Sequence, residues 1–150
     1  MSMDTWLEGL VTVLTQFVSI LGQEAEALGN SDAEALAGLA SRKELQGREL
    51  ARLWQGLSTE LGLQEMVGLP MLRECVSRGI LPAQSFDRLE GLCLEAERQN
   101  RVNGKLIEEQ IRRTQAAMNI LQQAAASHSL YGADGRMTGA TNRNRSIGSA

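Results

Sequence analysis

The residues of this chain that could do chemistry are few, and their spacing argues against catalysis. Cys75 and Cys93 lack the short spacings of metal ligands and sit among apolar neighbours, which predicts reduced, half-buried thiols and no disulfide. His128 is the sole histidine, so no second imidazole completes a metal site or a base–nucleophile pair. Ala133-Asp134-Gly135-Arg136 lacks the alternating oxygen ligands and closing glutamate of a calcium loop, and no glycine-rich phosphate loop occurs. Lys43 could act as an activated amine only beside a carboxylate–histidine pair, which the sequence does not supply. The expectation is a protein that is not an enzyme and holds neither metal nor cofactor.

The elements that carry these residues read as helices. Aromatic residues make up 3 % of the chain, while Leu, Ala, Glu, Gln and Arg dominate, a composition of long helices rather than sheets. Leu7, Leu14, Leu21 and Leu28 recur every seventh residue beside Leu10, Val11, Phe17, Val18 and Ala25, predicting a helix over about 3–28. Gly29-Asn30 reads as a left-handed stop, and Ser31-Asp32-Ala33-Glu34 as a capping box that opens a second helix over about 32–61. Leu36, Leu39, Leu50, Leu53, Trp54 and Leu57 point inward there, and so short a linker returns the second helix antiparallel to the first. Glycines and Pro70 punctuate the next stretch around a short connector helix at 70–78. Pro82 starts the longest element, about 82–126, in which Phe86, Leu89, Cys93, Ala96, Ile107, Ile111, Met118 and Leu121 keep a helical period. Glu97–Arg101, Glu108–Arg112 and Glu109–Arg113 are i,i+4 pairs of a solvated face. From Ser127 the composition turns to Gly, Ser, Asn and Arg and predicts a flexible tail over 127–150. The fold expected is therefore all-α: one domain at 1–126, an antiparallel up-down-up three-helix bundle with a connector helix, an overhanging C-terminal helix and a tail.

Two apolar stripes break midway. Lys43, Gln46 and Gly47 interrupt the second helix, and Asn100, Asn103 and Gly104 the last. Counted from the shared end of the bundle the two patches stand at one level, near Gln16. A buried polar layer is expected, whose role is to fix register, because sliding either helix would strand these groups against leucines.

Net charge is −3, with Lys and Arg interleaved among Asp and Glu, which excludes a footprint for nucleic acid. Asp4, Glu8, Thr12, Thr15, Gln16 and Ser19 interrupt the first helix and fit neither a signal peptide nor membrane insertion. Length sets the remaining expectation. The last helix would span about 66 Å against about 40 Å for the first, so it overhangs its partners. Ile111, Ala117, Met118, Leu121, Ala124 and Ala125 continue an apolar stripe there, suited to a partner's amphipathic helix or to a second copy of the chain. The competing arrangement folds the overhang back or covers it with the connector.

The segment Gln99-Asn100-Arg101-Val102-Asn103-Gly104-Lys105-Leu106-Ile107, then Glu109-Gln110-Ile111 and Leu130-Tyr131-Gly132-Ala133-Asp134-Gly135, resembles the FlgN family. The likeness is sharp over about 98–136 and generic over the first two helices. It implies a bacterial, cytoplasmic chaperone of flagellar type III export that binds hook-filament junction proteins, keeps them unassembled and delivers them to the export gate. It also implies cargo binding by the C-terminal amphipathic region, here Ile111, Met118 and Leu121 with Ala117 and Ala125, and gate docking by the Leu130-Tyr131-Gly132 turn. The alternative is a structural or adaptor bundle that forms a homodimer through its C-terminal helix and has no export cargo.

Overall fold

The structure, a computed structural model, describes residues 2–131, with side chains over 2–128. Four helices account for nearly all of that span, and the described residues contain no strand. Helix α1 covers Met3–Gly29, and Ser2 caps it by accepting a hydrogen bond from the Thr5 amide at 3.3 Å. Helix α2 covers Ala33–Leu61. Its cap is Asp32, whose carboxylate accepts from the Ala35 amide at 3.0 Å. This corrects the capping box expected on Ser31, and the cause is the turn before it. Asn30 stays right-handed, and Ser31 rather than Gly29 or Asn30 takes the left-handed conformation, at φ 53°. With Ser31 reversing the chain, the first residue free to cap is the next one.

At its other end α2 stops at Gly62, where φ is +68° and the Leu63 amide closes back on the Ser58 carbonyl at 2.9 Å. Helix α3, Leu69–Ser77, opens with Pro70 in its first turn and buries Met71, Leu72 and Cys75. Helix α4 then runs over Ala83–Tyr131, past the expected end at 126. Residues 132–150, including most of the expected tail, lie outside the described residues.

Within residues 3–108 the helices go up, down and up. Trp6 lies against Gly56, Gly9 against Leu53, and Glu24 against Lys43, so α2 runs antiparallel to α1. Leu89 joins the cluster around Trp6 while Asn103 reaches Leu21, so α4 runs parallel to α1. The principal core unites Trp6, Leu10, Val13 and Leu14 with Leu53, Trp54, Leu57, Met71, Leu72, Cys75, Leu81 and Leu89. A smaller cluster of Ile20, Ala27 and Leu39 occupies the hairpin end of α1 and α2. Gly56 is required by packing: a Cβ there would fall 2.0 Å from the Trp6 ring. Connector and α4 are also fastened from outside, with the Arg73 guanidinium 6.0 Å from the Phe86 ring centroid and 3.7 Å from the Glu90 carboxylate.

By length and composition alone α1 could cross a membrane, with a mean hydropathy of 1.3 over its most apolar stretch. One face of it is committed to the core. Leu10, Val13, Leu14, Ile20 and Leu21 are buried by the bundle, as expected of a helix with one face in a core.

Candidate functional site

Two constellations answer to the sequence expectations, one inside residues 3–108 and one on residues 109–128. The first is a buried polar network on three helices. Glu24 of α1 is 8 % exposed, and the Lys43 ammonium of α2 lies 3.3 Å from both of its carboxylate oxygens. From α4, the Asn103 amide donates to Glu24 Oε1 at 2.9 Å and to the Leu21 carbonyl at 2.8 Å, and is 1 % exposed. Gln99 donates to Asn103 Oδ1 at 3.0 Å, and Lys43 also donates to Asn100 Oδ1 at 3.3 Å. Every strong donor and acceptor at the centre is thus answered, which a charge this deep requires.

The network brings together Lys43, Asn100 and Asn103. Gln46 is not hydrogen-bonded into it, its buried Oε1 accepting no hydrogen bond, and Gly104 takes no part, since a Cβ there would meet nothing within 4 Å. Gln16, expected at this level, is exposed, and the residue that occupies its place is Glu24. The sequence carried a signal for it. Leu7, Leu10, Leu14, Phe17, Leu21, Glu24 and Leu28 form one uninterrupted series of three- and four-residue steps, and Glu24 stands in an apolar slot of that series, seven residues beyond Phe17. A carboxylate at a core position calls for a cation opposite, and Lys43 is that cation. The Lys43 amine is held in an ion pair with Glu24 and no histidine stands beside it, so the geometry of the group offers ion pairing and hydrogen bonding.

The second constellation is the surface of residues 109–128. All side chains from Ile111 to His128 are exposed, among them Ile111 at 61 %, Met118 at 48 % and Leu121 at 63 %, together with Ala117 and Ala125. Ile120, which the sequence reading left out, is exposed at 66 % and borders Ala117 and Ala124, widening the apolar arc. Large apolar side chains at this exposure on consecutive turns form a patch of the kind that marks interaction sites. Of the three expected i,i+4 pairs only Glu109–Arg113 forms, at 2.6 Å. Leu130 and Tyr131 fall at the end of α4 with undescribed side chains, and Gly132 lies outside the described residues.

Cys75 is buried, Cys93 is partly buried, and both are free. Burial pushes both thiols above their ordinary range, Cys93 further helped by the nearby Glu97 and Glu90 charges, so neither is an activated nucleophile.

No curated protein and no solved structure matches the chain. The family model described as FlgN protein matches residues 3–139, which takes in both hairpin helices, the connector, the Glu24 network and the exposed face of α4. The chain belongs to the FlgN family.

Proposed function

We propose that this chain is a cytoplasmic chaperone of flagellar type III export that binds hook-filament junction proteins through the apolar face of residues 111–125. Membership of the FlgN family supports the chaperone class. The observation that carries the binding site is the exposure of Ile111, Met118 and Leu121 on one stretch of helix. Cargo termini that would otherwise polymerise through their own helices lay an apolar face along this stretch and are kept soluble until delivery to the export gate. The segment Leu130-Tyr131-Gly132, of which Leu130 and Tyr131 lie in α4, is assigned the docking step at the gate, as the family resemblance implies. A narrow face without aromatic residues favours affinity of about micromolar strength or somewhat tighter, which suits a cargo that must be released. Binding of this kind needs no catalytic group, metal or nucleotide on the chaperone.

The Glu24–Lys43–Asn100–Asn103 network is assigned to register. Sliding α4 by one turn would take the Asn103 amide away from both Glu24 Oε1 and the Leu21 carbonyl, leaving the buried carboxylate with Lys43 alone.

Calorimetric titration of the chain with a hook-filament junction protein from the same organism tests the proposal, repeated with Met118→Asp and Leu121→Asp after circular dichroism confirms the fold. Binding that both substitutions abolish is the expected result. Absence of binding by the unaltered chain removes the chaperone reading. It leaves the second reading, a homodimeric adaptor, which the same exposed face would serve and which concentration-dependent mass would reveal.

A further inference from the structure

The buried network holds its asparagine beside a reactive neighbour. Asn103-Gly104 is the one Asn-Gly pair in the chain. In an unfolded segment such a pair consumes itself, because the glycine nitrogen, unhindered by any side chain, attacks the side-chain carbonyl carbon of the asparagine. A carbon–nitrogen bond forms, ammonia leaves, and water then opens the cyclic imide to aspartate or isoaspartate.

In the folded chain both reactants are held. Asn103 is 1 % exposed, its Nδ2 donates to the Leu21 carbonyl at 2.8 Å and to Glu24 Oε1 at 2.9 Å, and its Oδ1 accepts from Gln99 at 3.0 Å. Turning the side-chain carbonyl onto the next nitrogen would break these bonds inside the core. Gly104 lies within α4, where its N–H belongs to the helical ladder and its nitrogen is not free to attack. The reaction is open only when this part of α4 leaves α1 and unwinds.

The product does not fit the place it comes from. In an aspartate at this position an oxygen replaces Nδ2 and faces the Leu21 carbonyl and Glu24 Oε1, both acceptors and one of them charged. Lys43, the cation of the network, would have to serve two carboxylates. An isoaspartate also inserts a methylene into the backbone and breaks the helical repeat.

We propose that Asn103-Gly104 is a site of spontaneous deamidation, locked by the docking of α4 on α1 and released by its opening, and that the product bars residues 83–108 from docking again. The modification is a one-way record of opening that needs water and no enzyme. A Cβ at Gly104 would meet nothing within 4 Å, so packing tolerates Gly104→Ala, and this variant separates the chemistry from the fold.

The test follows Asn103 by peptide mapping of the full chain aged at mildly alkaline pH. Conversion should be at least about tenfold slower in native buffer than in urea that unfolds the chain, and Leu89→Ala, which loosens α4 away from the network, should speed the native rate at least about tenfold. Gly104→Ala should slow conversion in urea at least about tenfold, since its methyl group hinders the attacking nitrogen, and should leave the circular dichroism unchanged. Equal rates in buffer and urea, or a native rate indifferent to Leu89→Ala, overturn the lock. Conversion undiminished by Gly104→Ala overturns the imide route. Hydrogen exchange reads the consequence. Asn103→Asp should speed amide exchange of residues 92–106 at least about tenfold, and adding Glu24→Gln, which gives the new carboxylate a donor, should restore most of the protection. Unchanged protection in Asn103→Asp, or no recovery in the pair, overturns the one-way step.

Discussion

Residues 3–108 and residues 109–128 are built from the same amino-acid types and reach opposite outcomes. In the first, leucines at heptad spacing disappear from solvent: Leu10, Leu21 and Leu57 are 0 % exposed. In the second, Ile111 and Leu121, in the same helical period, stay more than 60 % exposed. The difference is supply of partners and not local propensity. The hairpin of α1 and α2, the connector and the first part of α4 bury one another's stripes, whereas nothing within residues 109–128 can do so for a single helix.

The largest expected effect follows from that contrast. Leu57→Ala should lower unfolding free energy by about 2–5 kcal/mol, while Leu121→Ala changes it by no more than about 0.5 kcal/mol. Urea titrations of the two variants decide it, and equal losses would erase the distinction between the regions. Next comes the Glu24 network. Lys43→Met leaves the carboxylate with Asn103 and no cation, and should cost about 1–3 kcal/mol, less than a fully buried broken pair because Lys43 remains 30 % exposed. Adding Glu24→Leu should recover most of that loss; failure to recover would mean the network contributes more than the desolvation of one charge.

A smaller effect concerns local opening. A helix without a packed face is marginal in water, so amides of residues 111–128 should exchange hydrogen much faster than those of residues 10–21. Comparable protection would show that the segment has found cover. The smallest effect is electrostatic. The Arg98 side chain holds the Glu95 carboxyl below its ordinary range, chiefly by hydrogen bonding at 2.6 Å. A depressed carboxylate contributes stability above its unfolded value and loses it as pH falls through the folded one. Arg98→Gln should therefore shift the Glu95 titration upward in an NMR pH series, with little change in stability because both side chains face water.

The helices were legible because Leu7-to-Leu28, Leu50-to-Leu57 and Pro82 are strong one-dimensional signals, and the exposed face was legible because its stripe outlasts them. Glu24 was not. Turn counting reaches the right level of the bundle but does not choose between polar residues one or two turns apart, and helical phase, which separates Glu24 from Gln16, shows only when the whole series of apolar slots is traced. The cap at Asp32 escaped for a different reason: either Ser31 or Asp32 satisfies the composition rule, and only the backbone reversal at Ser31 decides.

The close approach of Trp6 to Gly56 has an experimental consequence. Both tryptophans, Trp6 and Trp54, are spent in the same core at 8 % and 7 % exposure, and residues 109–128 contain no Trp, Tyr or Phe. Intrinsic emission therefore reports whether the bundle is intact and is blind to what docks on residues 111–128. One cuvette can certify that a variant is folded while a label on the partner reads its binding, and the two signals do not contaminate each other.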